Sequence, residues 1–210
     1  MAETISAARL HEALTRLCDT IEREKDYLSE LDGAIGDGDH GVNMAKCFRG
    51  VKVKLAATPA VDVGAVLNSV GSEVMNSVGG AMGALYGTLF IRLAMVSAGK
   101  SEVNLAELTA MFESALEGVV GIGQAKPGDK TLLDTLKPAV DALNEARRNG
   151  KTLSEALASL EKAARTGMES TKDMVAKMGR ASRLGERTRG HQDAGATSCF
   201  FVLQAFTQSM

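Results

Sequence analysis

Asp32-Gly33-Ala34-Ile35-Gly36-Asp37-Gly38-Asp39-His40-Gly41-Val42-Asn43 sets the frame for everything around it. Three carboxylates and four glycines fall within these twelve residues. Each glycine costs roughly 1 kcal/mol in a helix interior, so the run reads as a loop. Asp32, Asp37 and Asp39 converge on one point only if that loop folds back on itself. Converging carboxylates repel one another and need a cation, and an all-oxygen donor set suits Mg²⁺ or Ca²⁺ rather than zinc. An EF-hand is excluded by counting: a loop starting at Asp37 has Phe48 at its twelfth position, and one starting at Asp32 has Asn43, so neither supplies the bidentate carboxylate. The plainer alternative is a solvated Asp/Gly turn. Further glycine-rich stretches downstream weigh against it.

Outward from this loop the pattern is helical. Upstream, Leu10, Leu14, Leu17, Ile21 and Leu28 recur at three- and four-residue steps or their sum, which predicts a helix over about 3–30. Downstream a second helix is expected over about 41–55, broken by Thr58-Pro59. Asp62 caps a third, with Val63, Val66, Leu67, Val70, Val74 and Val78 on one face. Gly79-Gly80 ends it, and about 81–98 reads as a fourth. Asn104 and Glu107 have the spacing of a capping box, although that motif ordinarily opens with Ser or Thr. The fifth helix they open would bury Leu105, Leu108, Met111, Phe112, Leu116 and Val119. Gly121, Gly123, Pro127 and Gly128 form another loop before a sixth helix, about Asp129 to Arg148, with Pro138 as a kink. Thr152-Leu153-Ser154-Glu155 is a true capping box for a seventh helix reaching about Lys177. A polar loop over 179–195 precedes a last apolar helix with Phe200, Leu203 and Phe206 facing in.

No convincing period-2 strand and no clear repeat is found, so residues 1–210 read as one all-α domain of eight helices. Short connections imply antiparallel neighbours, hence an up-and-down bundle or closed helical barrel. In such an array alternate loops share an end. The aspartate loop, Gly79-Gly80-Ala81-Met82-Gly83, Gly121 to Lys130, and Gly179 to Gly195 then all fall at one end, while the turns near Thr58, Gly99 and Asn149 look plain. That segregation marks one end as a ligand site.

Composition narrows the partners. Apolar residues make up 45% and aromatics only 4%, with no Trp, so the core is expected to be aliphatic and Met-rich. A net charge of −2 gives no reason to expect nucleic acid or a membrane surface. Cys18, Cys47 and Cys199 are odd in number and far apart, which argues for small core residues in a reducing cytoplasm rather than disulfides. No basic start followed by an apolar run suggests a signal peptide, and no stretch of about 18 uninterrupted apolar residues is present to span a bilayer.

Glycine-rich loops opening onto helix N-termini present free N–H groups and a positive dipole end, which is a phosphate site. Mg²⁺ held by a few carboxylates beside substrate phosphates is its usual mode of binding. Arg180, Arg183, Arg187 and Arg189 either bring cations to that end or form a solvated face. No GxxxxGK[ST] occurs, and no strand precedes the glycines from Gly79 to Gly87, so a nucleotide site here would be neither Walker nor Rossmann. His40 reads either as a phosphohistidine or as a hydrogen-bonding residue that orients a phosphate or carboxylate, the second being preferred. His11 is expected to be structural, and His191 fits either class.

Taken in order, Gly36-Asp37-Gly38-Asp39-His40-Gly41-Val42-Asn43, Gly79-Gly80-Ala81-Met82-Gly83-Ala84-Leu85-Tyr86-Gly87, Pro127-Gly128-Asp129-Lys130-Thr131, Gly179-Arg180-Ala181-Ser182 and Gly190 to Ser198 resemble the nucleotide-binding L subunits of dihydroxyacetone kinases. The resemblance covers nearly the whole chain. It implies an eight-helix antiparallel barrel with nucleotide and Mg²⁺ at one end. Asp32, Asp37 and Asp39 would hold Mg²⁺, and His40, Gly41, Val42 and Asn43 would line the phosphate side. Ala81, Met82, Gly123 and Leu132 would line the nucleotide pocket, Arg180 would neutralise the transferring phosphoryl group, and Asp193, Ala194 and Gly195 would close the site. Many relatives have Ser or Thr where this chain has Met82, so a hydroxyl contact is lost while the backbone N–H remains. The implied activity is phosphoryl transfer to a small ketose on a separate K-type subunit. ADP/ATP is the implied cofactor, recharged either by a phosphohistidine protein of the phosphotransferase system (M type) or by exchange with free ATP. A non-catalytic nucleotide-sensing module is the rival of a different class. The oligomeric state is left open, a homodimer included.

Overall fold

The computed structural model describes residues 3–210, and among these it contains nine α-helices and one short strand pair. The expected first helix is two segments, α1 (Ala7–Arg23) and α2 (Lys25–Ile35). The ladder runs on through the joint: the Glu24 N–H bonds Thr20 O at 2.9 Å, and its carbonyl accepts from the Leu28 N–H at 2.9 Å. The two segments therefore serve as one interrupted wall. α2 also extends further than expected. Asp32 to Ile35 form its last turn, because burial of Leu28 and Ile35 outweighs the single glycine between them, and the true loop is Gly36–Asp39.

The remaining helices are α3 (His40–Ala56), α4 (Val63–Ser77), α5 (Gly80–Ser97), α6 (Leu105–Gly123), α7 (Leu133–Arg148), α8 (Leu153–Ser170) and α9 (Ala194–Thr207). Their starts follow local chemistry. Asp62 accepts the Ala65 N–H at 2.7 Å, and both capping boxes close reciprocally, Asn104 with Glu107 and Thr152 with Glu155. Their ends are less local. α6 runs through Gly121 to Gly123 before Gln124 turns left-handed with φ 54°, and α7 starts at Leu133 rather than Asp129. α8 stops at Ser170, where a 3-10 turn (Thr171–Asp173) replaces the expected helix to Lys177. α7 continues through Pro138. The Asp134 carbonyl that Pro138 cannot bond lies against Gly167 of α8.

α3 to α9 each pack on the helix before them, α1 bridges α3 and α9, and the ring closes. This is the all-α up-and-down barrel expected, with α1 and α2 together counting as one wall. Phe48, Phe90, Phe112, Phe206, Met44 and Met111 fill the interior, Phe112 meeting Phe206 edge-on at 5.0 Å. Each such side chain contributes roughly 1.5–3 kcal/mol on burial. α5 is long and apolar enough by composition to cross a membrane. Here it is a wall between α4 and α6 that carries Arg92 and buries Tyr86, Leu89, Phe90 and Leu93. One strand pair was not expected: Ile5–Ser6 (β1) against Glu102–Val103 (β2), antiparallel and too short to show a period.

Gly41 occupies the crossing of α3 over α2. A Cβ there would run into the Lys25 carbonyl and the backbone of Ser29. Gly41→Ala is expected to cost about 1–3 kcal/mol through overpacking, read as a fall in Tm of roughly 2–10 °C. An unchanged Tm would mean that the two helices separate freely at this point.

Candidate functional site

The segments joining α2 to α3, α4 to α5, α6 to α7 and α8 to α9 meet at one end of the barrel and enclose a cavity of about 570 Å³. Thirteen of the residues expected at a site line it: Asp32, Asp37, Asp39, His40, Asn43, Ala81, Met82, Gly123, Leu132, Arg180, Asp193, Ala194 and Gly195. Gly41 and Val42 do not. Gly41 is buried against α2, and Val42 is exposed on α3.

The carboxylates of Asp32, Asp37 and Asp39 bring one oxygen each within 4.8 Å of one another. The last turn of α2 supplies Asp32 and the glycine-rich turn supplies the others. Asp39 stands at the N-cap position of α3 but makes no capping bond, which leaves its carboxylate for the cluster. Asp32 accepts the His40 N–H at 3.3 Å. The Arg180 guanidinium pairs with Asp37 and lies 3.7 Å from Asp39, so it offsets one of the three negative charges and leaves the acidic end net negative. An all-oxygen set of three carboxylates, drawing a cation to itself, fits Mg²⁺.

The N-termini of α3, α5, α7 and α9 open onto this cavity. The first turn of α9 is capped by Asp193, which accepts the Ala196 N–H at 2.7 Å. α5 has no side-chain cap, so its first N–H groups are available to an anion. Gly80 makes that turn with φ +72°, a left-handed conformation suited to glycine. Leu85, Val119, Leu132 and Leu133 give the cavity an apolar wall suited to a flat ring.

Behind the wall runs a buried polar chain. His40 Nε2 lies 2.8 Å from Ser198 Oγ, which lies 2.6 Å from the Tyr86 hydroxyl, and that hydroxyl donates to Gly195 O at 3.1 Å. Burial lowers the pKa of His40 and raises that of Tyr86, so the imidazole is neutral and the phenol protonated near neutral pH. With Nε2 engaged, His40 presents its other nitrogen from a fixed ring. Burial also pushes the Asp193 carboxyl up to about 6.

Tyr86, Ser198 and Lys130 stand at this end without having been given a role from the sequence. The first two look like ordinary members of a helix and show their pairing only in three dimensions. Lys130 had one signal, a lysine inside a Pro/Gly loop next to residues that line the cavity.

An all-α barrel whose one end combines a carboxylate cluster, an uncapped helix N-terminus and an arginine has the parts to hold a phosphate ester beside a divalent cation. Residues 34–208 match the DAK2 domain, and the chain belongs to the DAK2 domain family. It is 41% identical over 201 residues to the ADP-binding subunit DhaL of the PEP-dependent dihydroxyacetone kinase of Escherichia coli K12, covering 96% of each chain. It is 38% identical over 192 residues to the corresponding subunit of dihydroxyacetone kinase 2 of Listeria innocua, covering 90% of this chain and 88% of that one. Human triokinase/FMN cyclase is 31% identical over 204 residues, which are 97% of this chain and 35% of that protein. The crystal structure of the dihydroxyacetone kinase of C. freundii shares the fold, with a TM-score of 0.74 at 23% identity over 97% of this chain and 34% of that one.

Proposed function

We propose that this chain is the nucleotide-binding subunit of a dihydroxyacetone kinase, carrying a phosphoryl group on bound ADP to a ketose held by a separate K-type subunit. The observation that carries the reading is the meeting of Asp32, Asp37, Asp39 and Arg180 at the mouth of a cavity bordered by helix N-termini. The names of its relatives, ADP-binding subunits of PEP- and PTS-dependent kinases in E. coli and Lactococcus lactis, support it.

Phosphoryl transfer is mostly positioning and charge stabilisation, and the residues divide along those lines. The apolar wall takes the base. The α5 N-terminus, Asn43 and the anchored His40 take the phosphates. Mg²⁺ bound by Asp32, Asp37 and Asp39 would neutralise phosphate charge. Among the described residues, Arg180 is the one Lys or Arg side chain paired with the carboxylate cluster, and its planar donors suit the transferring phosphoryl group. No side chain of this chain needs to be phosphorylated. The three cysteines are free and buried, as suits a protein of the cytoplasm.

For the donor, the reading favours a phosphohistidine protein of the phosphotransferase system over free ATP. Identity is higher to the PEP-dependent subunits than to the triokinase. The cavity also offers parts for long retention: a carboxylate cluster, helix N-termini, and the two ends of the segment from Gly179 to Gly195, Gly179 to Ala181 and Asp193 to Gly195, which line it. The purified protein is expected to carry ADP through gel filtration. With a K-type partner and sugar present, turnover is expected only when a phosphohistidine donor is added, with labelled ATP entering slowly. Label entering as fast as sugar phosphate forms would instead identify an ATP-consuming two-subunit kinase. Bound nucleotide with no turnover from either donor would leave a sensing module.

A further inference from the structure

Among the described residues, Lys130 is the one lysine or arginine that is buried, at 2% exposure. Its partners are backbone carbonyls. Nζ donates to Thr171 O at 2.7 Å, Thr188 O at 2.8 Å and His191 O at 2.5 Å, with Met174 O at 3.2 Å. An ammonium brings three N–H donors, so this cage satisfies it completely. The Lys130 backbone is left-handed, with φ +62°. Such strain in a non-glycine residue persists where the surroundings impose it.

The four carbonyls fall in two groups. Thr171 and Met174 lie just beyond α8, and Thr188 and His191 lie just before α9. Between them, residues 175–187 leave the barrel, bring Met178 to Ala181 to the cavity, and return. One ammonium thus ties both feet of the segment that carries Arg180. Short bonds reinforce the base: the Ala176 N–H donates to Thr188 Oγ1 at 2.9 Å, the Gly190 N–H to Lys172 O at 2.7 Å, and the Lys177 N–H to Asp129 O at 3.1 Å. Arg180 itself is well exposed, and its side chain pairs with the carboxylates it faces. Its placement therefore depends on the feet. Without the ammonium, converging carbonyl dipoles would face one another unpaired, and the base would have to open.

We propose that Lys130 is a positioning residue for phosphoryl transfer: by binding the carbonyls at both feet of residues 175–187, it holds Arg180 at the carboxylate cluster. This rests on the reading of Arg180 given above.

The test uses the full chain with its K-type partner and a working phosphoryl donor. Lys130→Met is expected to lower kcat roughly 100-fold, the scale of a small misplacement of a reacting group, with nucleotide affinity changed less than about threefold. In an Arg180→Lys background the same substitution should cost little more, because the two act as one unit. Trypsin should cut after Arg183 and Arg187 about tenfold faster or more in Lys130→Met at a temperature well below its substrate-free Tm, reporting the opened base without any assay of turnover. Lys130→Ala should regain part of its kcat when ammonium or methylammonium is supplied to the empty carbonyls. A folded Lys130→Met with ordinary kcat, or with losses fully additive to those of Arg180→Lys, would overturn the proposal. If Lys130→Met does not fold, Lys130→Gln serves: its shorter neutral amide has two N–H donors and cannot tie carbonyls at both feet, and ordinary kcat with ordinary tryptic cleavage would equally overturn the proposal. If Arg180→Lys by itself leaves kcat unchanged, the reading of Arg180 fails, while the tryptic arm still decides whether Lys130 holds the segment.

Discussion

Asp37→Asn is expected to strip the protein of Mg²⁺ and, with it, of most of its bound ADP. Asp37 gives one of three carboxylate oxygens that lie within 4.8 Å of one another, and it is the partner of Arg180. An amide has no charge and presents a single acceptor oxygen, so the site loses a full negative charge where a hard cation needs it. Even disturbing the groups that support a metal ligand costs roughly 10–100-fold in affinity, so removing the ligand should cost at least that much. Asp37 is exposed and sits in a turn, so stability should move by no more than about 0.5 kcal/mol. Asp39→Asn should behave the same way, since Asp39 is exposed and caps nothing. The checks are metal and nucleotide content of each purified variant, set beside its Tm. Ordinary content in both would remove the carboxylate cluster from the account of the site.

Arg180→Lys should leave nucleotide bound and slow its use. The lysine keeps a charge at the cluster but loses the planar fork that meets two phosphoryl oxygens at once. Groups of this kind are worth about 2–4 kcal/mol in the barrier, so kcat should fall by roughly 30–1000-fold. The KM for the sugar and the retention of ADP should change little, because a contact made mainly in the transition state leaves ground-state binding alone. Kinetics with a K-type partner decide it. A loss confined to nucleotide affinity would assign Arg180 to holding ADP. The two predictions are coupled through the Arg180–Asp37 pair, so a double variant should fall short of the product of the single effects.

The sequence by itself determined the helical architecture, because the signals for it are local. A capping side chain and the N–H it accepts are three residues apart, as with Asp62 and Ala65 or Thr152 and Glu155. An apolar stripe at three- and four-residue steps reports the buried face of its own helix, as Leu10, Leu14, Leu17 and Ile21 do. Alternation of up and down then carried the four glycine-rich segments to one end, where the cavity lies, from their order alone. Only the tertiary structure decided what rests on residues distant in the chain. Strand β1 exists because Ile5 finds Val103. The last turn of α2 is helical because Leu28 and Ile35 are buried, against the local preference of Gly33. Gly41 is required by the backbone of α2 pressed against it, not by any turn of its own. The His40–Ser198–Tyr86 chain joins α3, α9 and α5, and Lys130 finds its carbonyls 41 to 61 positions further along. A side chain's hydrogen-bond partners are chosen by the space left after the helices have packed, and no periodicity in its own neighbourhood encodes that space.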